Sequence, residues 1–360
     1  MLKVTPLTPL ASTNRLVRIW MLRYLPHLAN LEMQDNRFPA AELITAASLE
    51  ERTKTIATVR RILQINCERA GLETNSLYSY IPNIVHLSET RRITEAVRQV
   101  YEKLLDIYQQ QEPPSHFLKF IDNSFDLFSK LALPALMLPT VTQLAADVEP
   151  ILLHIQQQHL HTQNPRTIGF LTTQIHFSTR EILRHLNAYE QVLLSPYLKF
   201  IEEQVCIPWQ RVCAAAAKHM TNSPTFIVVE FLLPLCHDIA TQVYQQSLRL
   251  YPQHTSRRGT LLNPEIASSI LRDLTMIQGY ILLCVLEKNM AAIKQELIPL
   301  CVMVFPSVKV AWELVEGMLA LLIREMLDRL SLEQKELLLP YTQATQDLFA
   351  KANPRHAYSL

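Results

Sequence analysis

Polar and apolar residues follow the period of an α-helix along most of the chain. Residues 307–330 show this most clearly, because their polar side chains recur at intervals of three or four residues or at sums of these: Lys309, Glu313, Glu316, Arg324 and Asp328. A narrow polar stripe on a wide apolar surface is typical of a helix that is buried on most sides. Alternating strand patterns are nearly absent. We therefore predict an all-α multi-helix bundle of about twelve to fifteen helices with no significant β-sheet.

Helix starts are indicated by residues that cap helices. Asn263 precedes Pro264, which suits the first helical position, and Ser223–Pro224 and Ser195–Pro196 give similar signals. Ser331 precedes an acidic first turn, and Asn187 with Glu190 has the spacing of a capping box. Each of these five positions predicts the beginning of a helix.

Two polar segments that contain proline predict the domain boundaries. Residues 109–116 read QQQEPPSH, and residues 156–167 read QQQHLHTQNPRT. Proline cannot continue a helix without losing a hydrogen bond. We predict an N-terminal helical region (1–112), connecting helices (113–166) and a C-terminal helical bundle (167–360).

Composition and charge exclude several classes of function. The 360 residues carry 34 basic and 33 acidic side chains, a net charge of +1, so a nucleic-acid partner is not expected. The five glycines are scattered, which excludes a glycine-rich phosphate loop. The six cysteines lack the spacing of a CxxC pair and are expected to be buried free thiols in the cytoplasm.

Membrane contact is considered for one segment only. No apolar run reaches the ~18–20 residues of a transmembrane helix, so none is predicted. Residues 15–31 hold three arginines and a tryptophan that could lie on an anionic membrane surface: Arg15, Arg18, Trp20 and Arg23. The alternative is an ordinary packed helix with exposed arginines, and peripheral membrane contact therefore stays a subsidiary hypothesis.

Polar side chains within apolar helices are the candidate binding residues. Glu230, Arg272, Asp273 and Tyr280 all lie in strongly apolar stretches of the C-terminal bundle. A buried charge needs a partner, so these groups form either an internal network or a ligand pocket. Arg257–Arg258 lies in a predicted loop and could bind a phosphate, a carboxylate or a partner protein.

Two further alternatives involve a cofactor or a metal. Aromatic residues and the histidines His185, His219 and His237 could house a tetrapyrrole-like molecule in the C-terminal bundle. Asp122 and Asp126 share a helix face and could hold Mg²⁺ against a diphosphate.

Asp238 begins a second stretch that resembles the Mg²⁺ motif of helical isoprenoid synthases, although Gln245 replaces its final acid. That replacement weakens the resemblance, because a neutral amide is a poorer Mg²⁺ ligand. The resulting alternative is a Mg²⁺-dependent helical enzyme that acts on a diphosphate.

The leading prediction is a non-enzymatic interaction or scaffold protein that binds another protein through helical surfaces, with no cofactor. It is expected in the cytoplasm, with possible peripheral attachment to a membrane. The first alternative is a helical binder of an anionic or tetrapyrrole-like small molecule, and the second is the Mg²⁺-dependent enzyme.

Overall fold

The computed structural model describes residues 45–79, 87–110 and 166–353, together with Glu42, Val148 and Ile151. Over these residues the fold is all-α, apart from one two-stranded ribbon. Eleven α-helices fall within the described ranges, so the prediction of twelve to fifteen is not confirmed.

The helices are numbered in chain order. The first group is α1 (Leu49–Tyr78), α2 (Leu87–Gln110), α3 (Arg166–Arg184), α4 (Ala188–Cys206), α5 (Trp209–Ala216), α6 (Pro224–Leu232) and α7 (Cys236–Leu250). The second group is α8 (Pro264–Glu287), α9 (Ile298–Ser307), α10 (Trp312–Asp328) and α11 (Leu332–Lys351). A single 3₁₀ turn, Leu233–Leu235, joins α6 to α7, and a π-helical segment, Ile293–Leu297, leads into α9.

Four of the five predicted helix starts are confirmed. The side chains of Asn187, Ser223, Asn263 and Ser331 each accept a hydrogen bond from a backbone N–H in the first turn of the helix that follows. Asn187 also forms the complete capping box with Glu190. These short polar side chains satisfy donors that the helix itself leaves open, which explains why local sequence located them.

The helix start predicted at Ser195–Pro196 is wrong, because both residues lie inside α4. The capping box at Asn187 begins the helix earlier, and the Ser195 hydroxyl donates to the backbone carbonyl of Gln191 within the same helix. The helix predicted over 307–330 also begins later than its pattern indicates. Lys309 adopts the left-handed conformation, with φ of 57°, and α10 starts only at Trp312.

A short ribbon replaces the loop predicted around the two arginines. Strands β1 (Thr255–Ser256) and β2 (Gly259–Thr260) are antiparallel, and Ser256 is paired with Gly259. Arg257 and Arg258 form the turn between them. Gly259 has a φ of +126°, which side chains other than glycine rarely adopt. The ribbon therefore needs a glycine immediately after the arginine pair.

Helix packing produces one continuous apolar core. In the N-terminal part, α1 packs against α2 and most extensively against α3, which also packs against α4. In the C-terminal part, α8 is central and packs against α5, α6, α7 and α11. The contact between α1 and α3 crosses the proposed boundary segment 113–166, and the division into domains stays a prediction.

All six cysteines are buried and free, as the sequence predicts. Burial raises the pKa of Cys67 and of Cys213 to about 12 and that of Cys284 to about 11, because the thiolate loses its hydration in an apolar surrounding. These thiols are therefore protonated at neutral pH and behave as small apolar side chains.

Two segments are long and apolar enough to cross a membrane, which weakly opposes the prediction that the chain has no transmembrane helix. They are Pro224–Leu250 and Pro264–Glu287, with 50% and 72% of their most apolar windows buried inside the fold. The second segment is α8, most of which is covered by other helices. Buried core helices satisfy the same criterion of length and composition.

Several predicted site residues lie outside the described residues. They are the membrane-surface candidates Arg15, Arg18, Trp20 and Arg23, and the Mg²⁺ candidates Asp122 and Asp126.

Close packing of α8 against the α4–α5 turn gives a testable consequence at Gly279. A β-carbon there would lie 2.9 Å from Ile207 Cγ2 and 3.4 Å from Pro208 Cδ. Although alanine favours a helix by about 1 kcal/mol over glycine, overpacking costs about 1–3 kcal/mol. We expect Gly279→Ala to lower the free energy of unfolding by about 1 kcal/mol in urea denaturation.

The matched control is Gly169→Ala in α3, where the nearest side-chain atoms would be 3.4 Å from the new β-carbon, an ordinary contact. This variant should be neutral or slightly stabilised. Equal stability of the two variants would show that Gly279 is not required for the close approach.

Candidate functional site

A cavity of about 200 Å³ lies along one side of α8. Its walls come from α3, α4, α8, α9 and α10, from the C-terminal end of α1, and from the ribbon. Most of the lining is apolar, including Ile270, Ile277, Leu300, Val304, Leu314 and Met318. The polar lining is concentrated on α8, on α3 and on the ribbon. The cavity thus combines an apolar interior with a small number of polar groups, which is typical of a ligand site.

One stripe of α8 faces the cavity and contains a single carboxylate. Its members are Ile266, Ile270, Asp273, Ile277 and Tyr280, which follow one another at three- or four-residue intervals. Such spacing places side chains above one another on one helix face. The Asp273 carboxylate therefore interrupts an otherwise apolar row between two isoleucines.

Arg272 is the centre of a cluster of charged groups beside this stripe. Its guanidinium donates to Glu202 Oε1 on α4 (3.1 Å) and to Ser269 Oγ on α8 (3.1 Å). Its Nε lies 3.7 Å from Asp273 Oδ1. His176 on α3 also contacts Glu202, with Nδ1 and Oε1 2.8 Å apart. The cluster thereby connects three helices that are distant in sequence.

The pKa values of the two carboxyl groups are shifted in opposite directions. Burial alone would raise the pKa of Glu202, but the hydrogen bond and charge of His176, together with Arg272, lower the pKa to about 2. Burial raises the pKa of Asp273, although the charges of Arg272 and His176 act against this. The difference arises because Glu202 accepts short hydrogen bonds from its partners, whereas Asp273 lies farther from Arg272.

The ribbon side of the cavity is held by a second set of ionic contacts. Arg258 donates to Glu265 at the start of α8, and Arg180 on α3 also donates to Glu265 (3.0 Å). Both guanidiniums lie over the Phe177 ring, with carbon-to-centroid distances of 4.8 Å for Arg180 and 5.0 Å for Arg258. Arg258 is therefore occupied by a carboxylate and an aromatic ring rather than being open to a ligand.

The structure brings four of the six predicted binding residues to this cavity: Arg258, Arg272, Asp273 and Tyr280. Arg257 and Glu230 do not line it. Arg257 lies at the exposed turn of the ribbon, where its backbone N–H donates to the Val308 carbonyl (3.0 Å). Glu230 lies on α6. Arg272 and Asp273 take part in an ionic network and also line the cavity.

Sequence reasoning missed Glu202 and His176. Glu202 lies four residues from each of the buried residues Leu198 and Cys206, so it falls on the apolar stripe of α4. An acid at such a position indicates that its carboxylate has a buried partner. His176 offered no comparable signal, because its contact with Glu202 depends on how α3 and α4 pack.

The predicted Mg²⁺ residue Asp238 is exposed on α7 and does not line the cavity. Within residues 45–79, 87–110 and 166–353, no group of three or more His, Cys, Asp or Glu side chains is arranged to hold a metal ion. The Mg²⁺-dependent enzyme stays a prediction that concerns Asp122 and Asp126 outside these ranges.

Comparison with protein-family models, with curated proteins and with solved structures found no match to this chain. The functional conclusion therefore rests on the cavity and on the chemistry of its walls.

The low pKa of Glu202 predicts a pH-dependent contribution to stability. A carboxyl group whose pKa falls from 4.5 to about 2 on folding stabilises the fold above pH 4.5. That contribution is lost as the pH falls toward 2, because the carboxylate is then protonated. The difference between the two pKa values of Glu202 corresponds to about 3 kcal/mol of folding stability.

We expect Glu202→Gln to lower the free energy of unfolding by about 3 kcal/mol at pH 7 and by little at pH 2, measured by urea denaturation across this pH range. Glu336→Gln, at an exposed position of α11, is the control and should change stability by less than about 0.5 kcal/mol at each pH. A pH-independent loss in Glu202→Gln would contradict the ionic role of Glu202.

Proposed function

We propose that this protein binds a small, mainly apolar molecule in the cavity beside α8. The observation that supports the proposal is a cavity of about 200 Å³ with apolar walls and one polar cluster. An engineered apolar cavity of about 150 Å³ is sufficient to bind benzene, whereas pockets for drug-sized ligands occupy about 300–1,000 Å³. A substituted single ring or a short branched chain therefore fits the available space.

The charged wall disfavours an anionic ligand. Arg272 is already neutralised by Glu202, and Arg258 by Glu265. A ligand carboxylate that displaced Glu202 from Arg272 would break a buried ion pair and leave Glu202 with His176 alone, and breaking such a pair costs about 3–5 kcal/mol. This cost exceeds the gain from one replacement hydrogen bond, so the proposed ligand carries no negative charge.

The cavity also favours a molecule smaller than a tetrapyrrole. None of the histidines considered as axial ligands, His185, His219 and His237, lines it. His185 Nδ1 contacts the Glu181 carbonyl, and His219 Nε2 contacts the Leu286 carbonyl, each at 2.8 Å. The His185 ring is engaged by the backbone of its own helix and the His219 ring by the C-terminal end of α8, away from the space that a ligand would occupy.

A protein-interaction role is the second candidate function, and one surface feature favours it. Ile227 and Phe231 lie one turn apart on α6 and expose 41% and 43% of their surfaces. Adjacent apolar side chains on a helix can serve as anchors for a protein partner. The roles of scaffold and cytoplasmic protein stay predictions.

The small-molecule proposal is tested by filling the cavity. Val304 lines the cavity from α9, whereas Val302 on the same helix is 37% exposed and does not line it. We expect Val304→Phe to abolish binding of propylbenzene and Val302→Phe to retain it, because only the first variant places a ring in the cavity. Binding is measured by methyl chemical-shift changes during titration, and both variants are checked for helical content.

A titration that shows no chemical-shift change on the cavity walls of the unaltered protein would contradict the proposal. Equal binding by the two phenylalanine variants would place the propylbenzene site elsewhere.

The protein-interaction candidate is tested by adding charge to α6. We expect the double variant Ile227→Asp, Phe231→Asp to lose a protein that otherwise co-purifies at near-stoichiometric amount from the native host, because carboxylates cannot enter an apolar interface. Leu262→Asp, at another exposed apolar side chain, is the control and should retain that protein. Retention by all variants would exclude this face of α6 as the docking site.

A further inference from the structure

We propose that the cavity selects a small apolar amine, whose ammonium group binds the Asp273 carboxylate. This inference rests on the proposed function, since it identifies the class of ligand that the same cavity takes. It combines three observations: the balance of charge in the Arg272 cluster, the position of Asp273 on the cavity wall, and the polar side chain one turn before it.

The cluster contains more acid than its one guanidinium can neutralise. Glu202 and Asp273 both face Arg272, and Glu202 takes the direct hydrogen bond at 3.1 Å. Asp273 lies 3.7 Å from Arg272 Nε, beyond hydrogen-bond distance. The hydrogen-bonding contact of His176 is with Glu202 rather than with Asp273. Asp273 shares the charge of Arg272 but receives no hydrogen bond from it, so it is the less fully satisfied of the two carboxylates.

Among the described residues of the cavity wall, no guanidinium or ammonium other than that of Arg272 pairs with Asp273. Arg258 is the second guanidinium that lines the cavity, and it is paired with Glu265 on the ribbon side. Among the described residues, no hydrogen bond to the Asp273 carboxylate is found. A positive group supplied by a ligand would provide one.

Asp273 is placed where a ligand can reach it. It lies between Ile270 and Ile277 on the stripe of α8 that lines the cavity, and 33% of its side-chain surface is accessible. A ligand whose charged end meets Asp273 therefore places its apolar body against the neighbouring isoleucines. Burial of that body supplies affinity, while the carboxylate determines which end enters.

Ser269 gives the ammonium a second acceptor. It lies four residues before Asp273 on the same helix face, and its hydroxyl oxygen accepts one hydrogen bond from Arg272 (3.1 Å). A hydroxyl oxygen has two acceptor sites, so one remains available. An ammonium has three donors and no acceptor, which matches a wall that presents a carboxylate and a hydroxyl.

Other head groups fit this wall less well. A carboxylate would be repelled by Asp273 and by Glu202. An alcohol can donate one hydrogen bond to Asp273 but leaves the extra negative charge in place. Because a buried ion is costly unless an opposite charge accompanies it, an ammonium and Asp273 each reduce the cost of burying the other.

The test compares four probes that share a phenyl ring and a short chain: 2-phenylethylamine, 2-phenylethanol, propylbenzene and phenylacetate. Each is titrated at pH 7 and followed by methyl chemical shifts of the cavity walls. We expect the amine to bind at least about tenfold more tightly than propylbenzene, because a charge-assisted hydrogen bond adds to the same apolar contact. The alcohol should lie between them, and phenylacetate should bind most weakly.

Asp273→Asn should bring the affinity for the amine to within about threefold of that for propylbenzene, while leaving propylbenzene binding unchanged. Asp238→Asn is the matched control, because Asp238 is exposed on α7 and does not line the cavity. This variant should bind all four probes as the unaltered protein does. The amine and propylbenzene should also compete, since they share one cavity.

The outcomes separate this inference from the proposed function. If propylbenzene binds in the cavity but the amine is no tighter, the amine inference is overturned and the proposed function stands. If neither compound changes the shifts of the cavity walls, both are overturned. Tight amine binding that survives Asp273→Asn would overturn the assignment to Asp273. Because the four-probe series uses the unaltered protein, it decides the question even if Asp273→Asn fails to fold.

Discussion

The ion pairs of one buried guanidinium, that of Arg272, determine how the centre of this fold is assembled. Arg272 lies on α8, its hydrogen-bonded acid Glu202 on α4, and the second partner of that acid, His176, on α3. A buried charge without a partner is far more costly than an apolar contact that is slightly misplaced. These three helices therefore have little freedom to slide past one another, because any shift that improves apolar packing would separate the ions.

The same constraint accounts for the position of the cavity. On the side of α8 that lines the cavity, Ser269 and Asp273 are engaged by Arg272 and supply no apolar packing against α9 and α10. The ribbon contributes a second fixed point, because Arg258 is held by Glu265 and by the Phe177 ring. Between these two ionic contacts, the walls are apolar but do not fill the space. A cavity that lies beside a rigid ionic cluster has fixed walls, which reduces the cost of ordering on ligand binding.

Local sequence predicted the features that depend on a few neighbouring residues. The caps at Asn187, Ser223, Asn263 and Ser331 were readable because each side chain bonds to a backbone within three residues. Ser195–Pro196 shows that local sequence alone can also predict a helix start wrongly. The pair has the composition of a helix start, but an earlier cap had already begun α4.

The site was only partly predictable, because its contacts join residues that are distant in sequence. Arg272 and Asp273 stood out because they interrupt an apolar helix, but their environment is determined by Glu202 and His176, which lie 70 and 96 positions before Arg272. Glu202 could have been found from its place on the apolar stripe of α4, whereas the role of His176 follows only from the contact between α3 and α4. The cavity itself is a space between helices, and no single segment encodes it.

The structure also changes how the charged residues of α8 should be understood. The sequence allows two roles for Arg272 and Asp273, a network that fixes helix packing or a pocket that binds a ligand. These two roles can be filled by different residues of the cluster. Arg272 and Glu202 satisfy each other and fulfil the structural demand. Asp273 lies 3.7 Å from Arg272 Nε without a hydrogen bond to it, and its carboxylate is on the cavity wall. An acid that stays partly accessible in an apolar stripe, beside a guanidinium whose hydrogen bond goes to Glu202, is the group that the proposed amine would meet.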